Sequence, residues 1–129
     1  MAANPDFATE AMTVMVVDAD ILARMAIADY LRHCGYKVIE GSGGAEVRKV
    51  LEHGHKIDVL LIDMQLQSSE DGFSLARAMR ADYPDISVIR TSSTAKLADE
   101  AADLCDEGPL MKPYHPQELL RRIRALRQR

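Results

Sequence analysis

Cysteine, long apolar runs and an excess of basic charge are all scarce in this chain, and each shortage removes a class of function. The two cysteines, Cys34 and Cys105, are too few and too widely spaced for a disulfide framework or a zinc site. They read as buried, reduced thiols that behave as small hydrophobes. No apolar stretch approaches the roughly 18 to 20 residues needed to cross a bilayer, and Met1 to Thr9 has neither the basic start nor the apolar centre of a secretory signal. A cytoplasmic protein with no membrane contact is expected. Lys and Arg number 16 against 20 Asp and Glu, a net charge of −4, so the balance points to no nucleic-acid partner. The arginines at 121, 122, 124, 127 and 129 fall in the last helical turns, where cations complement the helix dipole.

A nucleotide loop is missing too. Gly41-Ser42-Gly43-Gly44 follows a strand and opens a helix, but Glu46 stands where the dinucleotide fingerprint needs glycine, and there is no Gly-Lys-Ser/Thr triplet. His33, His53, His55 and His115 show no ligand spacing with one another or with the cysteines, which leaves them as surface histidines.

The 129 residues, 47% hydrophobic and 28% charged, suit a single globular domain. After a flexible tail over residues 1–11, residues 12–129 alternate short β-rich runs with helical periodicity, the pattern of a parallel sheet covered on both faces. Strands are expected at Met12 to Val17, Tyr36 to Glu40, Ile57 to Ile62, Ile86 to Thr91 and Pro109 to Met111. The third is the most apolar and should be central, because burial on both faces removes the alternation of polar and apolar residues. Asp20 is the expected N-cap of the first helix, with Leu22, Met25, Ala26, Ala28 and Leu31 inward, Arg24, Asp29 and Arg32 outward, and Gly35 at its end. Further helices are expected over Ala45 to His53, from Gly72 to just before Pro84, over Ala95 to Cys105, and from Pro116 onward. The fold class is α/β: a flavodoxin-like three-layer sandwich with a five-stranded parallel sheet in order 2-1-3-4-5 and five helices.

In that strand order the first and third strands are neighbours, so Asp18 and Asp63 at their ends face one crevice. Thr91 ends the fourth strand and Lys112 the fifth, bordering the crevice from the other side. Two carboxylates, a hydroxyl and an ammonium suit phosphoryl transfer: a carboxylate nucleophile, a cation site, and donors for the developing charge. A lysine ending a buried strand also needs an anionic partner, since burying an unpaired ammonium costs several kcal/mol.

From Met12 to about Leu126 the chain resembles a response-regulator receiver domain of two-component signalling. Val16-Val17-Asp18, Leu61-Ile62-Asp63, Asp71-Gly72, Ile89-Arg90-Thr91-Ser92 and Met111-Lys112-Pro113-Tyr114 are similar, in order, to that family's acidic strand end, phospho-acceptor strand, third-helix start, switch-hydroxyl segment and lysine-proline-aromatic signature. The resemblance implies that Asp63 accepts a phosphoryl group from a sensor histidine kinase or a histidine phosphotransfer protein, with Thr91 hydrogen-bonding the group and Lys112 pairing with it. It implies Mg²⁺ held by Asp18, Asp63 and the backbone carbonyl of Gln65, a cis Lys112-Pro113 bond, and a regulatory phospho-acceptor rather than an enzyme. A downstream protein partner would use the face formed by the helix from Ala95, the fifth strand and the last helix.

Departures from the family pattern concern the metal and the output. Receivers usually carry two adjacent acids after the first strand, and Ala19 replaces the one that binds metal directly. Asp20 is a candidate substitute ligand, although its helix-cap role already explains it. The loop from Met64 to Glu70 lacks the proline common there, and Pro109 occupies the position of a switch aromatic. Arg90 interrupts an apolar strand: either its stem packs with its head in solvent, or its cation partly replaces the missing metal charge near Asp63. Two functions follow: a stand-alone Mg²⁺-dependent phospho-acceptor, or a phosphorylation-independent interaction module of the same fold with metal binding weakened by Ala19.

Overall fold

The computed structural model describes residues 12–66, 71–92 and 110–127. Strands β1 (Thr13–Val17), β2 (Lys37–Gly41), β3 (Val59–Asp63), β4 (Ser87–Ser92) and β5 (Leu110–Met111) form one parallel sheet in the order β2-β1-β3-β4-β5. Helices α1 (Ile21–His33), α2 (Gly44–Glu52), α3 (Gly72–Asp82) and α4 (Pro116–Arg127) connect and cover it. The tail over residues 1–11 and the helix expected over Ala95 to Cys105 lie outside the described residues, as do Pro109 and the second half of the loop after Asp63.

The most apolar strand is the middle one. All five residues of β3 are buried, and two apolar clusters divide around it. Met15, Leu60 and Ile62 pack with Val47 of α2 and Leu75, Ala76 and Met79 of α3. Val14, Val16 and Leu61 pack on the other face with Leu31 of α1 and Leu119 and Ile123 of α4. Burying such side chains contributes about 1.5–3 kcal/mol each, so the three-layer arrangement is held mainly by these two contacts.

Element ends depart by one or two residues from the periodicity, in part for hydrogen-bonding reasons. The Tyr36 N–H donates to the Leu31 carbonyl and so closes α1, while the Gly41 carbonyl accepts from the Asp18 N–H and extends β2. Gly35 takes φ 97° after the helix, a conformation glycine adopts without a Cβ penalty. Asp20 caps α1 by accepting from the Leu22 and Ala23 N–H groups. Cys34 is half-buried and free.

The inward face of α1 differs from the expectation. Leu22 is 79% and Met25 48% exposed, and Ala26 is exposed as well, whereas Ala28 and Leu31 are buried. Arg24 and Arg32 are the reason. Arg24 pairs with Glu40 of β2, and Arg32 reaches both Glu40 and the Val38 carbonyl. These ties turn the arginine side of the helix toward the sheet edge and leave Leu22 and Met25 to solvent. Arg90 differs too: it is only 2% exposed. Its register partner is Ile62, one position before the Asp63–Thr91 pair, so strand alternation puts Arg90 on the face opposite Thr91.

At the β2–α2 junction, Glu46 accepts from both the N–H and the hydroxyl of Ser42. The Ser42 hydroxyl bond is the main cause that holds Glu46 below the ordinary carboxylate range. A depressed pKa stabilises the fold above the unfolded-state value and loses that contribution as pH falls through the folded one. Glu46→Gln is therefore expected to flatten slightly the acid limb of Tm between neutral pH and about pH 3. An acid limb identical to that of the parent protein would show that the Ser42 contact adds no stability.

Candidate functional site

Four strand ends converge at one edge of the sheet. Asp18 follows β1, and Asp63 closes β3, the hydrogen-bonded neighbour of β1. Thr91 of β4 is in register with Asp63. Lys112 follows β5, whose Leu110 pairs with Thr91, and its N–H donates to the Ser92 carbonyl at 2.7 Å. Asp18, Asp63, Thr91 and Lys112 thus line one cavity of about 390 Å³, together with Ala23 of α1 and Tyr114. The Lys112-Pro113 peptide bond is cis.

The charges in this cavity are organised around the lysine. Lys112 Nζ donates to Asp18 Oδ2 at 2.7 Å and to Asp63 Oδ2 at 3.2 Å. The remaining oxygens face backbone: Asp18 Oδ1 accepts from the Asp20 N–H at 2.9 Å and Asp63 Oδ1 from the Gln65 N–H at 3.0 Å. Each acid therefore closes a two-residue turn with one oxygen and meets the ammonium with the other. Both acids are buried, and two adjacent carboxylates in such a place would repel each other without a cation. Burial by itself lowers the Lys112 pKa, but the Asp18 hydrogen bond and the Asp63 charge outweigh it, so the pKa is raised and the ammonium persists at neutral pH. Burial, and then the Asp18 and Asp63 charges, push the Tyr114 phenol well above its ordinary range and keep it neutral.

Two positions matter in ways that periodicity did not show. Arg24, assigned outward from the sequence, donates through Nη1 to the Asp18 carbonyl at 2.8 Å, which ties the first acid's backbone to α1. Its spacing of four and seven residues from the buried Ala28 and Leu31 was the available signal. Gly72 opens α3 so close to the end of β3 that a Cβ there would lie 2.1 Å from the Asp63 carbonyl oxygen. The Asp71-Gly72 pair, expected from the sequence to start this helix, is thus a helix cap followed by a close backbone approach. Asp71 Oδ1 accepts from the Ser74 N–H at 2.8 Å.

The residues present do not make a ready Mg²⁺ site. Ala19 supplies no oxygen from its side chain, and Asp20 caps α1 through Oδ1 and does not line the cavity. Among the described residues, no group of three or more His, Cys, Asp and Glu side chains is placed to hold a metal ion. All four oxygens of Asp18 and Asp63 already accept hydrogen bonds.

The family model described as the response regulator receiver domain matches residues 14–124. The transcriptional regulatory protein GltR of Pseudomonas aeruginosa is 32% identical over 121 residues, covering 91% of this chain and 49% of that protein. The uncharacterized transcriptional regulatory protein YbdJ of Bacillus subtilis is 29% identical over 114 residues, with coverage of 88% and 49%. The chain thus spans about half the length of these relatives. Among solved structures, a CheY-like receiver domain protein from Methanospirillum hungatei superposes with a TM-score of 0.78 at 19% identity, covering 90% of this chain and 93% of that one. A response regulator receiver protein from Sinorhizobium medicae superposes with a TM-score of 0.73 at 26% identity, covering 86% and 90%. With the family model spanning nearly the whole described domain and the acid, hydroxyl and lysine positions in one cavity, the chain belongs to the response-regulator receiver domain family.

Proposed function

We propose that Asp63 accepts a phosphoryl group from a histidine kinase or a histidine phosphotransfer protein, and that the phosphorylated domain signals through protein contacts. Receiver domains as a family are regulatory phospho-acceptors that generally bind Mg²⁺ at the acidic pocket. The observation that carries the reading for this chain is Lys112 Nζ at 3.2 Å from Asp63 Oδ2, with Thr91 in register beside that acid. In the proposed step an Asp63 oxygen attacks the donor phosphorus, Lys112 meets the charge on the phosphoryl oxygens, and the Thr91 hydroxyl donates to one of them. Asp63 Oδ1 accepts from the Gln65 N–H and Oδ2 from the Lys112 ammonium, so both oxygens are oriented before the donor arrives. Mg²⁺ held by Asp18, Asp63 and the Gln65 carbonyl would share both acids with Lys112.

Ile21, Leu22 and Met25 are exposed on the first turns of α1, the helix whose Ala23 lines the acidic cavity. This exposed apolar rim beside the cavity suits a docking surface for the donor protein. The downstream partner is assigned to β5, α4 and the segment over Ala95 to Cys105, the last of which lies outside the described residues. No helix among the described residues is long and apolar enough to cross a membrane, and we place the protein in the cytoplasm. The alternative of an unphosphorylated interaction module draws its support from Ala19.

Incubation with a small-molecule phosphodonor, followed by intact-mass measurement, distinguishes the two. The expected outcome is the mass of one added phosphoryl group, lost in Asp63→Asn. Absence of that mass, even with a cognate kinase, would favour the interaction module.

A further inference from the structure

We propose that Lys112 is the resident cation of this pocket, and that phosphoryl transfer to Asp63 proceeds without a divalent metal. The proposal rests on the reading of Asp63 as phospho-acceptor and adds what compensates the charge there. A pocket with a third acid at position 19 would carry two negative charges beyond its lysine. With Ala19, one remains, and a single ammonium bridges both carboxylates at 2.7 and 3.2 Å.

The donor set is also poor for a hard cation. Mg²⁺ demands about six oxygens near 2.0–2.1 Å and gives up its water reluctantly. Here each acid has one oxygen on the ammonium and one on a backbone N–H. Asp20 caps α1 through Oδ1, which accepts from the Leu22 and Ala23 N–H groups, and it is not among the residues that line the acidic cavity. A metal entering here would compete with Lys112 for the same two acids. The backbone of Lys112 is anchored by its N–H on the Ser92 carbonyl.

Phosphorylation asks less of the same lysine. An O–P bond forms from Asp63 Oδ2 as the P–N bond of a phosphoramidate-type donor breaks, and the departing nitrogen takes a proton from water. The new phosphoryl oxygens replace Oδ2 of Asp63 as partners of the ammonium, while Asp18 keeps its end. No oxidant or further co-reactant is required.

The test is phosphorylation of the whole chain by phosphoramidate, followed by intact mass, in a chelator and in excess Mg²⁺, with Mn²⁺ binding measured separately by water-proton relaxation. Wild-type protein is expected to gain phosphoryl at rates equal to within about twofold in the two buffers and to show no submillimolar Mn²⁺ binding. Ala19→Asp is expected to tighten Mn²⁺ by on the order of tenfold or more and to make the reaction respond to Mg²⁺. Lys112→Met is expected to lose the metal-free reaction, with Lys112→Arg retaining part of it as a control for folding. A wild-type rate that rises tenfold or more with Mg²⁺, or submillimolar Mn²⁺ binding to the wild type, overturns the proposal while leaving Asp63 as acceptor. No phosphoryl gain in either buffer, or from a cognate kinase, overturns the acceptor reading and the metal-free transfer with it.

Discussion

Gly72→Ala is expected to lower stability by about 2–3 kcal/mol, and to disturb the end of β3 around Asp63 as well as the helix that carries the substitution. The added Cβ would stand 2.1 Å from the Asp63 carbonyl oxygen, 2.6 Å from Met64 Cα and 2.9 Å from the Asp63 carbonyl carbon. All three are backbone atoms, so no side-chain rotation relieves the contact. Either the start of α3 withdraws or the end of β3 shifts by about 1 Å, against a helix-propensity gain for alanine of at most about 1 kcal/mol. The clash wins because the obstacle is the middle strand of the sheet, all of whose residues are buried. Thermal unfolding should show Tm lower by roughly 6–12 °C, and the Gln65 amide resonance should move, since its N–H is bonded to Asp63 Oδ1. An unchanged Tm would mean that α3 does not approach Asp63 this closely.

Leu60→Ala is expected to cost more, about 3–5 kcal/mol. Leu60 has no exposed surface and lies in register between Met15 of β1 and Val88 of β4, under the cluster that joins α2 and α3 to the sheet. Truncation there loses the transfer free energy of the side chain and leaves a cavity that neighbours on both sides cannot close. Leu22→Ala, by contrast, should change stability by no more than about 0.5 kcal/mol, because that side chain faces water. Urea unfolding of both variants measures the difference. A loss above about 2 kcal/mol for Leu22→Ala would restore the inward face first read from the periodicity of α1.

That contrast shows what local pattern can and cannot say. The apolar run ending at Asp63 marked the central strand because a strand covered on both faces has no reason to alternate. Caps and stops were legible for similarly local reasons: Asp20 at the start of α1, Gly35 after it, Pro84 past α3. The inward face of α1 was not. Its apolar residues nearly encircle the helix, and the choice between faces was made by Glu40, sixteen residues from Arg24. Arg90 was misread for a related reason: an arginine stem can snorkel, and only its place between packed neighbours shows that the head has no route to solvent.

The candidate site divides in the same way. The sequence by itself determined the fold class, the order of elements and the identity of Asp18, Asp63, Thr91 and Lys112, because each stands at the end of a strand that composition and periodicity mark. Only the tertiary structure decided what the lysine does. Its bonds span 94 residues to Asp18 and 49 to Asp63, and whether an ammonium or a metal compensates two carboxylates depends on distances of a few tenths of an ångström. No periodicity encodes such distances; they are set by how four strand ends settle against one another once the two apolar clusters have packed.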